Sequence, residues 1–600
     1  MVFKLRRHAA WLRGLPLAAA IAAFAFAPAP VRAQNAVQFW NQTLLTVTQQ
    51  TSALLTAGPP DVALQMAIMD NAMYDAVNAA TGGGYKPYAY TGGAVSGVSA
   101  EAAALSAGYT ALSGYFGRSE WAGSTNAATN TRINDVILPE LLAAYNARKA
   151  LLAPSQAVTD GLTLGIAAGN AMLDARATDG SGAAIVDGLL NNVPVGSGIT
   201  PGVYVPPSAS GGRPEMYPLW GSVTPVGSPV DQFQAIMASV RLPGVTNFSA
   251  SPFDQVQEAV ASAAYAAELM RTECGGSGSA LTGTVAAACT AAGIAPQTLA
   301  QSRAALFWND PGTTIQPPGH WLQIANTVMV AQGLDLMQQA RLSATMSTAI
   351  ADAGIAAWGE KYIYNLWRPI TAIRDCTAAT GAYSWNSTLT TANAGSQGSC
   401  SNSWVSLIAT PPHPDYIAGH PSFSGAAATV LASFFGNDNI SFASQSNAYC
   451  NGGSAGFAAD GYTIVSCTLD AGQAAASGVY AAGTYTTCNS ISLSSGASNV
   501  NDSPLVCAMT LSFDSFSEAS SGVIGSTYSR VAGGIHTPFA STDALAVGNS
   551  IGALVFANNF TAVPEPSSLM VLSVAAFGLA GAARRRRGSS YGIDAGAIRR

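Results

Sequence analysis

Apolar side chains recur at spacings of three and four along Val62 to Ala79, which reads VALQMAIMDNAMYDAVNA, and again in Ala-rich form along Ala100 to Tyr115, Ile133 to Ala150 and Ser155 to Ala177. That period predicts packed helices. It lapses from Gly180 to Pro229, a stretch dense in Gly, Pro, Ser and Val that encloses Tyr217-Pro218-Leu219-Trp220. So long a break predicts either an ordered wrap over the surface or a domain junction. The helical period returns over Asp254 to Arg271, pauses for a loop from Cys274 to Cys289, and continues over Pro296 to Phe307, Leu322 to Arg341, Ser343 to Leu366 and Phe423 to Phe435, with a last helix opening at Asp543. Strand-like alternation is scarce. Gly461 to Val465 is one plausible strand, inside a Gly/Ser/Asn-rich insertion over 436–526. The fold class expected is mostly α, helical bundles carrying a Gly/Ser-rich, Cys-containing insertion, with an N-terminal helical region over 34–300 and a second region over 301–560.

The two ends break the pattern in a different way. Lys4, Arg6 and Arg7 precede an apolar run from Leu15 to Phe26, and Val31-Arg32-Ala33 offers a small-residue cleavage site before Gln34. This is the layout of a secretory signal over 1–33. Near the other end, Val563-Pro564-Glu565-Pro566 leads into an apolar stretch from Leu569 to Ala583 and then Arg584 to Arg587. A basic run of that kind is held on the cytoplasmic side, and the stretch is short for a stable span. The segment 563–587 resembles the PEP-CTERM sorting signal. The resemblance implies an exosortase-type export machinery as partner, transient membrane anchoring through the tail, and an exported or surface location.

Charge sharpens the picture. The whole chain carries −6, and without the five cations of the leader and the net five of the tail it sits at about −16. Nucleic acid is therefore not an expected partner. Against that acidic background, cations gathered by motif stand out. The eight cysteines are even in number, no CxxC pair suggests zinc, and an oxidising compartment favours disulfides. Neighbour pairing, Cys274 with Cys289 and Cys376 with Cys400, is the expectation.

Three short pieces hold the candidate chemistry. In the first, Trp358, Lys361, Asn365 and Arg368 are spaced to share one helix face, and Pro369 turns the chain at Arg368. In the second, His413 and His420 flank one turn, and Ala418-Gly419-His420-Pro421 leads into a helix whose free N–H groups would point at an anion. In the third, Ser529 to His536 supplies Arg530, two glycines for a bend, and His536. Arg offers a planar fork and Lys a point charge. Together the pieces predict a cradle for a tetrahedral oxyanion, although each taken alone reads more readily as a solvated helix face, a satisfied loop histidine or a surface turn.

Lys361 with six residues to Arg368-Pro369, Gly419-His420 before a helix, and Ser529-Arg530 with five residues to His536 resemble the three-part signature of the vanadium-dependent haloperoxidases. The same signature marks the wider superfamily of type 2 phosphatidic acid phosphatases and bacterial acid phosphatases. Trp358, Pro317-Pro318-Gly319-His320-Trp321 and Phe423 to Ala428 also resemble the bacterial haloperoxidase-like branch. The resemblance implies vanadate as cofactor, held by Lys361, Arg368, Arg530 and the Gly419 N–H, with Trp358 and Ala418 beside it. It further implies His420 as acid/base and His536 as the ligand of vanadium, with hydrogen peroxide and halide as substrates. His413 stands where the family's bromoperoxidases carry a histidine, which implies bromide or iodide before chloride; the plainer reading is that it packs between Pro412 and Pro414.

One residue departs from the pattern. The usual signature reads Pro-Ser-Gly-His, and here Ile417-Ala418 precede Gly419-His420. A lost hydrogen bond to a charged group is worth about 1.5–3 kcal/mol. Two other functions therefore stand beside the haloperoxidase: an acid phosphatase acting on a phosphate ester through a phospho-histidine at His536, and a non-catalytic surface or matrix protein with a vestigial pocket.

Overall fold

The structure, a computed structural model, describes residues 34–52, 58–122, 127–190, 201–204, 216–278, 281–295, 297–311, 314–374, 404–446, 454–457, 464–469, 483–485 and 509–563. The leader, the tail stretch Leu569 to Ala583 and the pair Cys376 and Cys400 lie outside them.

Among the described residues, ten principal helices carry the architecture: α1 (Ala36–Ser52), α2 (Pro59–Ala80), α3 (Ala100–Phe116), α4 (Gln156–Ala175), α5 (Ala263–Gly275), α6 (Gln316–Ala331), α7 (Leu336–Tyr364), α8 (Gly419–Phe435), α9 (Ser526–Ala532) and α10 (Pro538–Asn558). The mostly helical class expected from the period is what the chain adopts. Helix α7 is the hub, packing on α2 to one side and on α8 and α10 to the other. It is buried without interruption from Leu342 to Trp358, and α2 is buried from Pro60 to Ala79. A helix apolar all round is one enclosed by others.

Glycine sets how closely two of these pairs approach. In α4, Gly161, Gly165 and Gly169 recur every four residues, and a Cβ there would fall 2.5 Å from Ser99 O, 2.1 Å from Ala103 O and, at Gly169, 2.6 Å from the Thr110 side chain. In α10, a Cβ at Gly548 would fall 2.2 Å from Ser422 O, and one at Gly552 2.7 Å from Ala426 O. Backbone thus lies on backbone where α10 crosses α8, the helix that opens on Gly419-His420. The same helix α10 is long and apolar enough to cross a membrane, yet half of it is buried within the bundle.

Several expected boundaries shift, each for a local reason. The break expected near Ser343 falls instead at Gln332 to Asp335, where Gly333 takes φ +66° and Asp335 forms a capping box with Gln338 at the start of α7. The single helix expected over Asp254 to Arg271 is two, Pro252–Val260 and α5, because the Ser262 side chain accepts from Tyr265 N and caps the second. The expected Cys274–Cys289 loop contains a helix, Gly283–Ala291, and the two cysteines form a disulfide. The expected break over Gly180 to Pro229 holds a helix, Ser181–Leu190, and, over 216–229, a wrap whose Tyr217 and Trp220 side chains are each 1% exposed. The Asp352 carboxylate pins that wrap by accepting from the N–H groups of Val226, Gly227 and Ser228.

The insertion begins and ends on an antiparallel ribbon, β1 (Phe442–Ser446) paired with β2 (Met509–Phe513), with Phe442 opposite Phe513 and Ser446 opposite Met509. Between them Ser454–Phe457, Ile464–Leu469 and Gly483–Tyr485 form a separate three-stranded sheet. The strand expected over Gly461 to Val465 therefore starts at Ile464, and Gly461 to Thr463 lie outside the described residues.

Candidate active site

Lys361 stands in the last turn of α7, and the helix ends just beyond it because Asn365 adopts the left-handed conformation at φ 50°. Asn tolerates that conformation as a helix stop. The chain then runs extended, Leu366 pairing with Val203 and Trp367 N donating to Gly202 O, before Pro369 opens a short helix to Arg374. Asn365 and Arg368 thus do not continue the helix face that carries Trp358 and Lys361, which corrects that expectation. The turn still brings Arg368 back toward Lys361, from the opposite side.

The three cationic side chains meet in the interior. Lys361, Arg368 and Arg530 are each 0% exposed. Lys361 Nζ donates to Pro414 O at 2.8 Å and Asp415 O at 3.2 Å. Arg368 donates to the carbonyls of His413 and Ile535, and Arg530 to that of Trp308. None of the three forms a salt bridge with a carboxylate among the described residues. Buried charges are ordinarily paired. Burial lowers Arg368 to about 10 and Arg530 to about 9, so both guanidinia stay charged at neutral pH, and burial with the nearby Arg368 presses the Lys361 ammonium well below its usual value.

The histidines fill the gaps between the cations. His536 Nδ1 lies 2.6 Å from Asp415 Oδ1, and Arg368 Nη1 lies 3.1 Å from Nε2. The neutral ring therefore donates from Nδ1 to the carboxylate and turns the Nε2 lone pair into the cradle. Asp415 is itself held by Thr537 Oγ1 at 2.8 Å, and burial raises it to about 6. His413 accepts at Nδ1 from Arg368 Nη2 at 2.8 Å, its ring 5.2 Å from that of Trp358. The contact with Arg368 goes beyond packing between two prolines. His420 Nε2 lies 3.3 Å from Arg530 Nη1 and 4.0 Å from Asp310 Oδ2, and its side chain is 14% exposed. Burial, and then the neighbouring cations, hold all three imidazoles well below the ordinary value.

Helix α8 starts at Gly419 with no side-chain cap from Ala418, which leaves its first N–H groups free. Gly419 lies on the Trp358 ring, where a Cβ would approach to 3.0 Å. Trp358 in turn sits under the Lys361 ammonium at 5.8 Å and donates to Met216 O at 2.9 Å. Of the hydroxyls near Ala418 in sequence, Ser422 Oγ donates to Ala418 O at 3.0 Å and Tyr416 OH to Asp543 Oδ2 at 2.8 Å, so neither replaces the missing serine. Gly534, at φ +73°, makes the bend before His536, and a Cβ at Gly276 would come within 2.3 Å of Gly534 Cα.

All the candidate residues thus converge: Trp358, Lys361, Arg368, His413, Ala418, Gly419, His420, Arg530 and His536. The sequence reading missed Asp415 and Asp310. Asp415 carried a signal, standing two residues after His413; Asp310, more than a hundred residues from His420, carried none. Three buried cations against two carboxylates, with free helix N–H groups beside them, fit a tetrahedral oxyanion such as vanadate or phosphate.

Comparison with known proteins agrees. Residues 341–563 match the family described as the VCPO second helical-bundle domain, and residues 562–587 match the PEP-CTERM protein-sorting motif. A vanadium chloroperoxidase of Curvularia inaequalis is 27% identical over 146 residues, which is 22% of this chain and 23% of that protein. A bacterial vanadium-dependent iodoperoxidase of known structure shares the fold at a TM-score of 0.56 and 18% identity, over 88% of this chain and 98% of that one. Residues 341–563 thus carry, in the buried cradle's own stretch of the chain, a helical bundle similar to the VCPO second helical-bundle domain, and residues 562–587 match a PEP-CTERM sorting motif.

Proposed function

We propose that the chain is an exported vanadium-dependent haloperoxidase that joins halide, hydrogen peroxide and a proton into hypohalous acid and water. The observation that supports this most directly is the cradle of three buried cations without carboxylate partners, opposed by a histidine Nε2 lone pair. Vanadate, held there, supplies a Lewis acid that activates peroxide for a two-electron oxidation. The protein's part is electrostatic. Lys361, Arg368 and Arg530 would spread positive charge over the oxygens of the bound anion, and the N–H groups of Gly419 and His420 would add the helix terminus. Asp415 keeps His536 in the tautomer that offers Nε2. His420, the most exposed of the three site histidines, takes or delivers the proton.

His413, hydrogen-bonded to Arg368, supports bromide or iodide before chloride. The PEP-CTERM motif supports export, with an exosortase-type protease acting on the tail. The His536–Asp415 pair equally suits a nucleophile backed by a carboxylate, so phosphate-ester hydrolysis is the second reading.

The test is bromide- and iodide-dependent halogenation of a phenolic dye with peroxide, on protein from Gln34 to Pro566, with and without orthovanadate, beside p-nitrophenyl phosphate hydrolysis. Halogenation that needs vanadate and vanishes in Arg530→Ala and His536→Ala supports the proposal. Ester hydrolysis alone moves the protein to the phosphatase branch, and silence in both assays leaves a vestigial pocket.

A further inference from the structure

Behind His420 lies a second polar chain that the anion cradle does not use. His320, on α6 and 0% exposed, places Nδ1 3.1 Å from both oxygens of Asp310 and Nε2 3.0 Å from Ser444 Oγ. Ser444 belongs to β1 of the insertion ribbon and stands 124 residues beyond His320 in the chain. The ring is clasped by aromatic faces, with Phe307 at 4.9 Å and Trp308 at 4.7 Å, and Phe513 of β2 closes over Trp308 at 5.9 Å. Ser, His and Asp in this order have the connectivity of a nucleophile triad. Ser444 is 5% exposed and His320 fully enclosed, so neither meets a substrate. The role that remains points inward, toward Asp310 and the group Asp310 faces.

We propose that His320 is a positioning residue: with its tautomer fixed by the Ser444 hydroxyl, it holds the Asp310 carboxylate toward His420 and Arg530, and so ties the insertion ribbon to the anion site. The hydroxyl donates to Nε2, the ring is then protonated at Nδ1, and Nδ1–H donates to Asp310. Asp310 is thereby fixed with Oδ2 at 4.0 Å from His420 Nε2. The groups facing His420 are Arg530 on α9, Asp310, His320 on α6, the carbonyls of Trp308 and Asn309, and His413. Of these, the pair Asp310 and His320 is hydrogen-bonded to the insertion ribbon through Ser444, and Trp308 packs against its Phe513. The Ser444 hydroxyl thus acts on Asp310 through the His320 ring.

The inference rests on His420 as the acid–base group of the proposed function, but its test reads ring states and anion binding and needs no turnover. Nitrogen-15 histidine spectra of the wild type should show His320 protonated at Nδ1. In Ser444→Ala, His320 should become a mixture of tautomers, the His420 ring resonances should move while those of His413 and His536 stay, and affinity for inorganic phosphate or orthovanadate should fall threefold or more. Ser444→Thr should restore all three. The inference is overturned if His320 in the wild type is protonated at Nε2, if Ser444→Ala leaves His420 and anion affinity unchanged, or if all the site histidines shift together with a fall in melting temperature. A protein that binds the anion but oxidises no halide would fail the haloperoxidase reading and leave this test intact.

Discussion

At the scale of single residues, Ala418 is the place where this chain differs most pointedly from the haloperoxidase signature it resembles. It is fully buried at the start of α8, and the neighbouring Ser422 hydroxyl is occupied elsewhere. Ala418→Ser should therefore tighten orthovanadate binding roughly tenfold to hundredfold, from the about 1.5–3 kcal/mol of a hydrogen bond to a charged group; calorimetric titration that finds equal affinity would show that the site has no use for the hydroxyl. The histidines make a second prediction. Without an anion all three are held neutral by burial and by the cations, and an arriving anion reverses the electrostatic part of that effect. Phosphate binding near pH 6 should accordingly draw protons from solution, measured as a dependence of binding enthalpy on the buffer's ionisation enthalpy; proton release would contradict it. The cationic residues were legible in the sequence because motif spacing gathered them in an acidic chain. The groups behind His420 were not, because Asp310 and His320 come near it only through tertiary packing.

At the scale of elements, the helical period located the bundle well and its ends poorly. A capping side chain such as Asp335 or Ser262, or one left-handed Asn such as Asn365, stops a helix whatever the apolar spacing continues to suggest. Helix α1 escaped the sequence reading altogether. The insertion showed in the sequence only as a Gly/Ser/Asn-rich stretch with one plausible strand, and the informative part is its root: β1 and β2 leave and rejoin the bundle side by side, Ser446 opposite Met509. Two residues suffice to join such a pair. Replacing 447–508 by Asn-Gly should give a folded protein of essentially the parent's stability, with His420 undisturbed, whereas removing 439–513 should cost anion affinity because Ser444 goes with it. Denaturant titration and phosphate binding on the two deletions decide the matter; equal losses in both would place the dependence in the excised segment.

At the scale of the whole molecule, the protein has buried a set of carboxylates whose ionisation opposes folding. Burial raises Asp61 to about 6 and Asp70, Glu273 and Glu360 to about 7. An acid with a raised folded value contributes stability that is complete below its unfolded value near 4 and lost as the pH climbs through its folded value. The neutral site histidines act oppositely, stabilising above about 6.5 and losing that contribution as the pH falls. Between pH 6.5 and 8 the carboxylates govern, so the melting temperature of the anion-free protein should fall over that interval, each group that is still protonated in the fold costing on the order of 1 kcal/mol for every pH unit climbed. A melting temperature that rises from pH 6.5 to 8 would sink the account.

The disulfide gives the site a place in time. Cys274–Cys289 closes the segment that carries Gly276 onto Gly534, and Thr272, two residues before Cys274, donates its hydroxyl to the carbonyl of His536 at 3.3 Å. Thiols stay reduced in the cytoplasm and pair outside it. On the export proposed above, the seat of His536 would be stapled only outside the compartment in which the chain is made, so that departure itself would serve as the maturation step and keep a reactive oxidant from the cell's own constituents.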